Sequence, residues 1–252
     1  MAFTAHNIRL PDGSFTLPER PLLAESPRMK ATARVLRLVY KDAVHDKSIV
    51  DLGCLEGGYT VEFARMGMRS TGIEVRQSNY ANCMLVKNKV QLPNLEFHND
   101  DVLNLSRYGN FSVAFCSGLL YHLDRPAEFI RLMANQVADV IILNTSFATD
   151  QENPTFKLSP MTENEGLPGR WYKEHDTDDL TVQENAKWSS WNNIRSFWLT
   201  KSAILQVLTD CGFDMVFEQY DFLGSDIRSE MESGFYAKRH RSMFVGVRTG
   251  TR

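Results

Sequence analysis

The chain has 252 residues, 43% of them hydrophobic and 23% charged, with a formal net charge of −3. These are values of a soluble globular protein with a core, large enough for one α/β domain or one domain plus an insertion. No apolar run reaches the ~20 residues that span a bilayer, and the opening MAFTAHNIRLPDG lacks the basic-then-apolar layout of a secretion signal. Cys54, Cys83, Cys116 and Cys211 form no C-x-x-C pair, so they read as free, mostly buried thiols in a reducing cytoplasm.

Helix and strand patterns alternate along the first part of the chain. ESPRMKATARVLRLVYKD predicts a helix with Ser26 as N-cap and Pro27 at its first position. KSIVDLG predicts a short buried strand and GGYTVEFARMG a helix ending at Gly67. RSTGIEV, RQSNYANCMLVKNKV and NLEFHN continue as strand, helix and strand. FSVAFCSG is the fourth strand, DRPAEFIRLMANQ a helix with Asp124 as its cap, and ADVIILNTSF the fifth strand. This alternation implies a parallel sheet with helices on both faces.

From Ala148 to about Trp198 no period holds for long. TKSAILQVLTDCGF then predicts a helix capped by Thr200 and stopped by Gly212. FDMVFEQYDF and SMFVGVRTG close the chain as two strands joined by a polar connection too irregular for a crossover helix, which suggests an antiparallel edge.

The glycine-rich stretch SIVDLGCLEGGYT decides what kind of ligand such a sheet would hold. A phosphate-binding loop has the spacing of Gly53 and Gly58, but Tyr59 stands where its lysine is needed. A dinucleotide fingerprint needs a second glycine where Leu55 stands, so a pyrophosphate could not approach the backbone. An adenosine-bearing ligand without phosphates remains.

The segment from Asp51 to Gly58 resembles the first motif of class I S-adenosylmethionine-dependent methyltransferases. The resemblance covers Ser48 to Ser146 closely, and it implies a Rossmann-like sheet of seven strands, mostly parallel with an antiparallel last strand. It also implies S-adenosylmethionine as cofactor. The loop with Gly53 and Gly57 would accommodate the methionyl portion, and Asp51 would face its amino group. Glu74, 21 residues after Gly53, would accept the ribose hydroxyls. Asp101 matches the residue that meets the adenine amino group, with Val102 beside the ring, and Ser117 falls in the matching fourth-strand segment.

GLLYHLDRP resembles a branch that methylates small molecules and glycans, and also the family that transfers a carboxymethyl group to wobble uridine in tRNA. His122 lies beyond the fourth strand, where a neutral imidazole could take a proton from an attacking hydroxyl; the plainer reading is that it caps or packs the next helix. Tyr121 could shape the methyl pocket or simply pack.

All four tryptophans lie between Ser146 and Thr200. Trp171, Tyr172, Trp191, Trp198 and Arg195 are candidates for contacting an acceptor, against the alternative that the rings form the segment's own small core. His175 is a second candidate base; with Asp176 and Asp178 it could hold a metal, but such acids more often mark solvated surface, and no metal is expected.

Four segments follow: 1–47, an N-terminal lid and helix; 48–146, the cofactor-binding core; 147–199, an aromatic-rich substrate-covering insertion; 200–252, the closing helix and strands. Ser146 to Trp198 carries nine acidic against five basic residues, which disfavours a nucleic-acid partner. The basic stretch with Arg28, Lys30, Arg34 and Arg37, and KRHR at Lys238 to Arg241, speak the other way. A small-molecule acceptor is therefore expected, with a tRNA modifier and a non-catalytic cofactor-binding module as the alternatives.

Overall fold

The structure is a computed structural model that describes residues 2–153, 155–220 and 240–250. Its main sheet has seven strands: β1 Ser48–Leu52, β2 Arg69–Ile73, β3 Leu95–His98, β4 Phe111–Ser117, β5 Val137–Ser146, β9 Met215–Gln219 and β10 Arg241–Val247. Their order is β3-β2-β1-β4-β5-β10-β9. β1 pairs in parallel with β2, and β2 with β3. β10 runs antiparallel to both β5 and β9, so the antiparallel last strand expected from the sequence is present.

The predicted helices form where their caps place them. α1 (Pro27–Tyr40) begins with Ser26 accepting the Met29 N–H. α2 (Gly58–Arg65) and α3 (Gln77–Val90) follow β1 and β2, and α6 (Lys201–Asp210) starts with Thr200 accepting the Ala203 N–H. α4 (Pro126–Gln136) differs from expectation: Asp124 does not cap it. Glu165 reaches in from a hairpin and accepts the Ala127 and Glu128 N–H groups at 2.9 and 2.7 Å. A carboxylate at a helix N-terminus satisfies the same orphan donors whichever part of the chain supplies it.

The stretch without a period is not irregular throughout. It holds a three-stranded antiparallel sheet of β6 (Thr162–Asn164), β7 (Leu167–Lys173) and β8 (Arg195–Leu199), and the short helix α5 (Leu180–Asn185). These strands escape a sequence reading because β6 is three residues long and the connection from β7 to β8 is filled with polar residues. The polar connection before β10, and Lys238 and Arg239 of the KRHR run, lie outside the described residues.

The chain divides into two compact units, and the division falls within β4, after Phe115. In the first, Ile8 and Leu10 of the N-terminal segment share a core cluster with Val61, Ala64, Val86 and Phe97. In the second, Phe129, Ile130, Ile142, Val207 and Phe244 are fully or almost fully buried. Among the described residues no helix is long and apolar enough to cross a membrane. Cys54, Cys83 and Cys116 are buried free thiols, and Cys211 is a half-buried one.

Candidate active site

The turn between β1 and α2 is held in a shape that few sequences tolerate. Gly53 and Gly57 have φ of 69° and 76°, and Leu55 between them has φ of 53°. Glycine takes such angles at no steric cost, whereas leucine does not, so something must hold Leu55 there. Its N–H donates to Glu74 Oε2 at 2.9 Å. Glu74, at the carboxyl end of β2, also receives the Arg76 N–H at 2.9 Å and Asn79 Nδ2 at 3.3 Å on Oε1. Asp51, one residue before the end of β1, accepts the Thr60 hydroxyl at 2.7 Å.

Both carboxyls are almost wholly enclosed, Asp51 at 2% exposure and Glu74 at 4%. Burial pushes the Asp51 carboxyl up to about 7, against the pull of its bond from Thr60 and with the Glu74 charge adding to the rise. Burial raises Glu74 as well, less the relief from its backbone donors. Beyond β3, Asp101 caps a short 3-10 turn by accepting the Leu103 N–H at 2.9 Å, and Val102 is buried beside it.

The N-terminal segment lies on the same turn. Glu56, with no exposure, accepts the Thr4 N–H at 2.6 Å, the Thr4 hydroxyl at 2.9 Å, the Ala5 N–H at 3.0 Å and the His6 N–H at 2.9 Å. The imidazole of His6 accepts the Gly58 N–H on Nδ1 at 3.0 Å.

In the second unit, the turn after β4 presents His122. Its Nδ1 lies 2.8 Å from Oε1 of Glu174, whose side chain is 1% exposed against 14% for the imidazole. Glu174 also accepts the Ser196 hydroxyl at 2.7 Å and the Ser190 N–H at 3.1 Å. Burial opposes its charge, but the bonds from His122, Ser196 and Ser190 outweigh that cost and hold its carboxyl below the usual range. A carboxylate only accepts, so the shared proton sits on Nδ1 and the Nε2 lone pair of His122 remains available. Asn193 fixes the backbone here by donating to the His122 carbonyl at 3.0 Å. Sequence reasoning named His122 but missed Glu174, 52 residues away in a segment without a period.

The aromatic residues divide into two groups. Trp198, 1% exposed, packs against Tyr121, Phe156 and Tyr172 with ring centroids 5.7, 5.2 and 5.7 Å away. So enclosed an indole offers no face to an acceptor, and Trp198 belongs to the core. Trp171 has the Arg195 guanidinium over one face at 4.2 Å and Phe197 edge-on at 4.9 Å, so these two candidates engage each other. Trp191 is half-buried and donates its indole N–H to Glu184 at 2.7 Å, which leaves a ring face to offer. Tyr121 lies 4.2 Å from the His122 ring, and its hydroxyl accepts from Arg241 at 3.3 Å. His175 is held by the Ser190 carbonyl at 2.8 Å, and Asp176 is paired with Lys173. Among the described residues, no three or more His, Cys, Asp or Glu side chains gather as a metal site.

Residues 49–140 match the family model described as "Methyltransferase domain". Over this stretch, somewhat more than a third of its length, the chain is similar to methyltransferase domains. Among curated proteins, the ubiquinone biosynthesis O-methyltransferase of Albidiferax ferrireducens is 30% identical over 96 residues, which is 37% of this chain and 38% of that protein. The chain thus aligns with well under two thirds of that relative. Among solved structures, the N-terminal domain of EvdMO1, crystallised in the presence of SAH and D-fucose, is 20% identical with a TM-score of 0.64, over 89% of this chain and 83% of that one. The sugar N-methyltransferase KedS8 from Streptoalloteichus sp. is 15% identical with a TM-score of 0.53, over 90% of each chain.

The turn between β1 and α2 fits S-adenosylmethionine on its own physical terms. Two buried carboxyls at the ends of adjacent strands are costly, and a ligand bearing an ammonium group and ribose hydroxyls would offset that cost. A carboxylate offers about four acceptor positions. Three are filled on Glu74, so a grip on both ribose hydroxyls requires one of its present donors to let go. Glu74→Ala is expected to weaken S-adenosylhomocysteine binding by about 1.5–3 kcal/mol, the range for bonds to a charged group. Titration calorimetry on the folded variant checks this, and an unchanged Kd would remove Glu74 from the ribose.

Asp51 yields a test without ligand. Its folded pKa, about 7, lies above the ordinary 3.8, so the folded protein binds the extra proton between those values. The melting temperature of the ligand-free protein should therefore fall as pH rises from 4 towards 7 through this group. Asp51→Asn, which keeps an acceptor for Thr60, should flatten that slope; an identical pH profile would contradict the assignment.

Proposed function

We propose that this protein is a methyltransferase that transfers a methyl group from S-adenosylmethionine to a hydroxyl of a small, uncharged, ring-bearing acceptor such as a sugar or a natural-product scaffold. The observation that carries this reading is the pair formed by His122 and the buried Glu174, 2.8 Å apart. When bound, S-adenosylmethionine would supply an electrophilic methyl on a sulfonium that leaves as a neutral thioether. What an alcohol lacks is acidity, and His122 supplies the base. Glu174 fixes the Nδ1–H tautomer and stabilises the imidazolium that forms when Nε2 takes the hydroxyl proton. Gly53, Gly57, Asp51, Glu74, Asp101, Val102 and Ser117 are the residues proposed to hold the cofactor, which they would align and shield from water.

The acceptor class rests on supporting features. The segment from Ser146 to Trp198 has nine acidic against five basic residues, which repels a polyanion. Trp191 offers an indole of the kind that stacks on sugar rings. The fold neighbours include one crystallised with D-fucose present and one named as a sugar N-methyltransferase, which bear on the acceptor's ring and not on the atom methylated.

The test is turnover of a panel of sugars and phenolic scaffolds with S-adenosylmethionine, read by mass spectrometry of the methylated product. An uncharged acceptor predicts a KM almost independent of salt. Tight, steeply salt-dependent binding of tRNA, with no turnover of small acceptors, would sink the reading. Trp191→Ala should raise KM several-fold and leave kcat nearly unchanged, since a stacking face serves ground and transition states alike. An unaltered KM would return Trp191 to a structural role.

A further inference from the structure

The sequence of the turn gives Glu56 no evident task. The structure gives it an unusual surrounding. Its carboxylate has no exposure, and all of its partners come from Thr4, Ala5 and His6, some fifty residues earlier. Four donors fill the roughly four acceptor positions of a carboxylate. Glu56 therefore has no acceptor capacity left for a ligand. Its charge is tolerable in the interior only while the N-terminal segment stays docked, because removing those donors would leave a buried unpaired carboxylate.

His6 adds a second tie. Gly57, the N-cap of α2, has no side chain to satisfy the helix's free N–H groups, and the Gly58 N–H is met by His6 Nδ1 instead. A Cβ at position 58 would lie 2.8 Å from that nitrogen and 2.5 Å from Leu23, so glycine is what lets the imidazole come close. The His6 ring also stands edge-on to Tyr59, with centroids 5.5 Å apart. Behind it the segment is anchored by its own bonds: Asn7 donates to the Arg20 carbonyl at 2.6 Å, and the Ile8 N–H to Thr16 at 2.8 Å. Ile8 is wholly buried.

The turn that carries these two ties is backbone that would not keep its shape unaided. Gly53, Leu55 and Gly57 all have left-handed φ angles. Left-handed leucine is strained, and such a conformation persists only when its surroundings over-determine it. Glu74 holds Leu55 from one side; Glu56 and His6 clamp the following residues from the other.

We propose that Glu56 and His6 are positioning residues for the cofactor turn: through them the N-terminal strap, residues 2–8, keeps the turn from Gly53 to Gly58 in the shape that receives S-adenosylmethionine. Strap docking and cofactor binding are then one linked equilibrium, although neither residue needs to touch the cofactor. This inference rests on the cofactor assignment above, and its test separates the two.

The readout is the Kd of S-adenosylhomocysteine, by titration calorimetry on full-length protein. Wild type should bind. Glu56→Gln, which puts an amide donor against donors, should bind about tenfold or more weakly. Its kcat at saturating S-adenosylmethionine should stay within a small factor of wild type. His6→Ala should also weaken binding, and His6→Asn, whose Oδ1 can stand in for Nδ1, should restore most of it. Should Glu56→Gln fail to fold, intact wild type decides. Trypsin cleavage after Arg9, followed by mass spectrometry, should slow when S-adenosylhomocysteine is bound. Folded variants with lower melting temperatures but wild-type Kd would overturn the inference, as would equal cleavage rates with and without ligand. Wild type that binds no S-adenosylhomocysteine would instead overturn the cofactor assignment itself, and the inference with it.

Discussion

Replacing His122 by alanine is expected to cut kcat by about 10²–10⁴-fold, the usual worth of a general base, with S-adenosylhomocysteine affinity close to wild type. The reason is geometric. Glu174 is fixed by Ser196 and by the Ser190 N–H, so it holds the imidazole in one orientation and one tautomer. Glu174→Gln should then reduce kcat by about 10²-fold or more, because an amide nitrogen facing Nδ1 favours the tautomer whose Nε2 is already protonated. The two losses should not add, since both act through one nitrogen. If His122 serves only to pack the turn after β4, both variants will melt earlier while keeping activity per folded molecule. That outcome would take the base out of the mechanism. A nitrogen nucleophile with its own lone pair would be the next reading to test.

The largest expected effect on stability belongs to Gly57→Ala. The residue has φ of 76°, and an added Cβ would lie 2.6 and 2.8 Å from two ring carbons of Phe97. Phe97 is 5% exposed and part of the buried cluster, so its ring has little room to retreat. Left-handed strain of about 1–2 kcal/mol and overpacking of about 1–3 kcal/mol together predict a fall in melting temperature on the order of 5–15 °C. Because the same turn is proposed to receive the cofactor, added S-adenosylhomocysteine should rescue the variant less than it stabilises wild type. Equal ligand-induced shifts would separate the turn's stability from its binding role. Gly166→Ala is a fairer control: its φ of 74° is close to that of Gly57, but a Cβ there meets nothing within 4 Å.

How much of this could be read beforehand follows from the range of each interaction. The strands and helices of the core declare themselves locally. Ser26 and Thr200 cap helices three residues away, and β1 and β5 are apolar runs. The turn from Gly53 to Gly58 is legible because left-handed angles demand glycine in the sequence itself. Partnerships across long stretches of chain leave no such mark. Glu174 with His122, Glu56 with the strap and Glu165 on α4 each join residues 37 or more positions apart. Nothing in composition or period distinguishes these three glutamates from solvated ones. Asp124, the local choice for α4, loses to Glu165 because tertiary contact overrides a neighbouring cap. Trp198 shows the opposite limit: the concentration of tryptophan in one segment was visible, but which indoles form its core was not.

That concentration has a practical outcome. Trp171, Trp188, Trp191 and Trp198 are the whole tryptophan complement of the protein, so its indole fluorescence arises from a stretch of fewer than thirty residues. Trp198 at 1% exposure should emit in the blue and resist iodide, whereas Trp188 at 62% should emit in the red and be quenched readily. The molecule thus carries its own optical label on the segment proposed to meet the acceptor. The glycine turn and the strap contain no indole. An emission change on adding a sugar would register events at that segment alone, and the difference between the quenchable and protected fractions would tell whether Trp191 or the buried core responds.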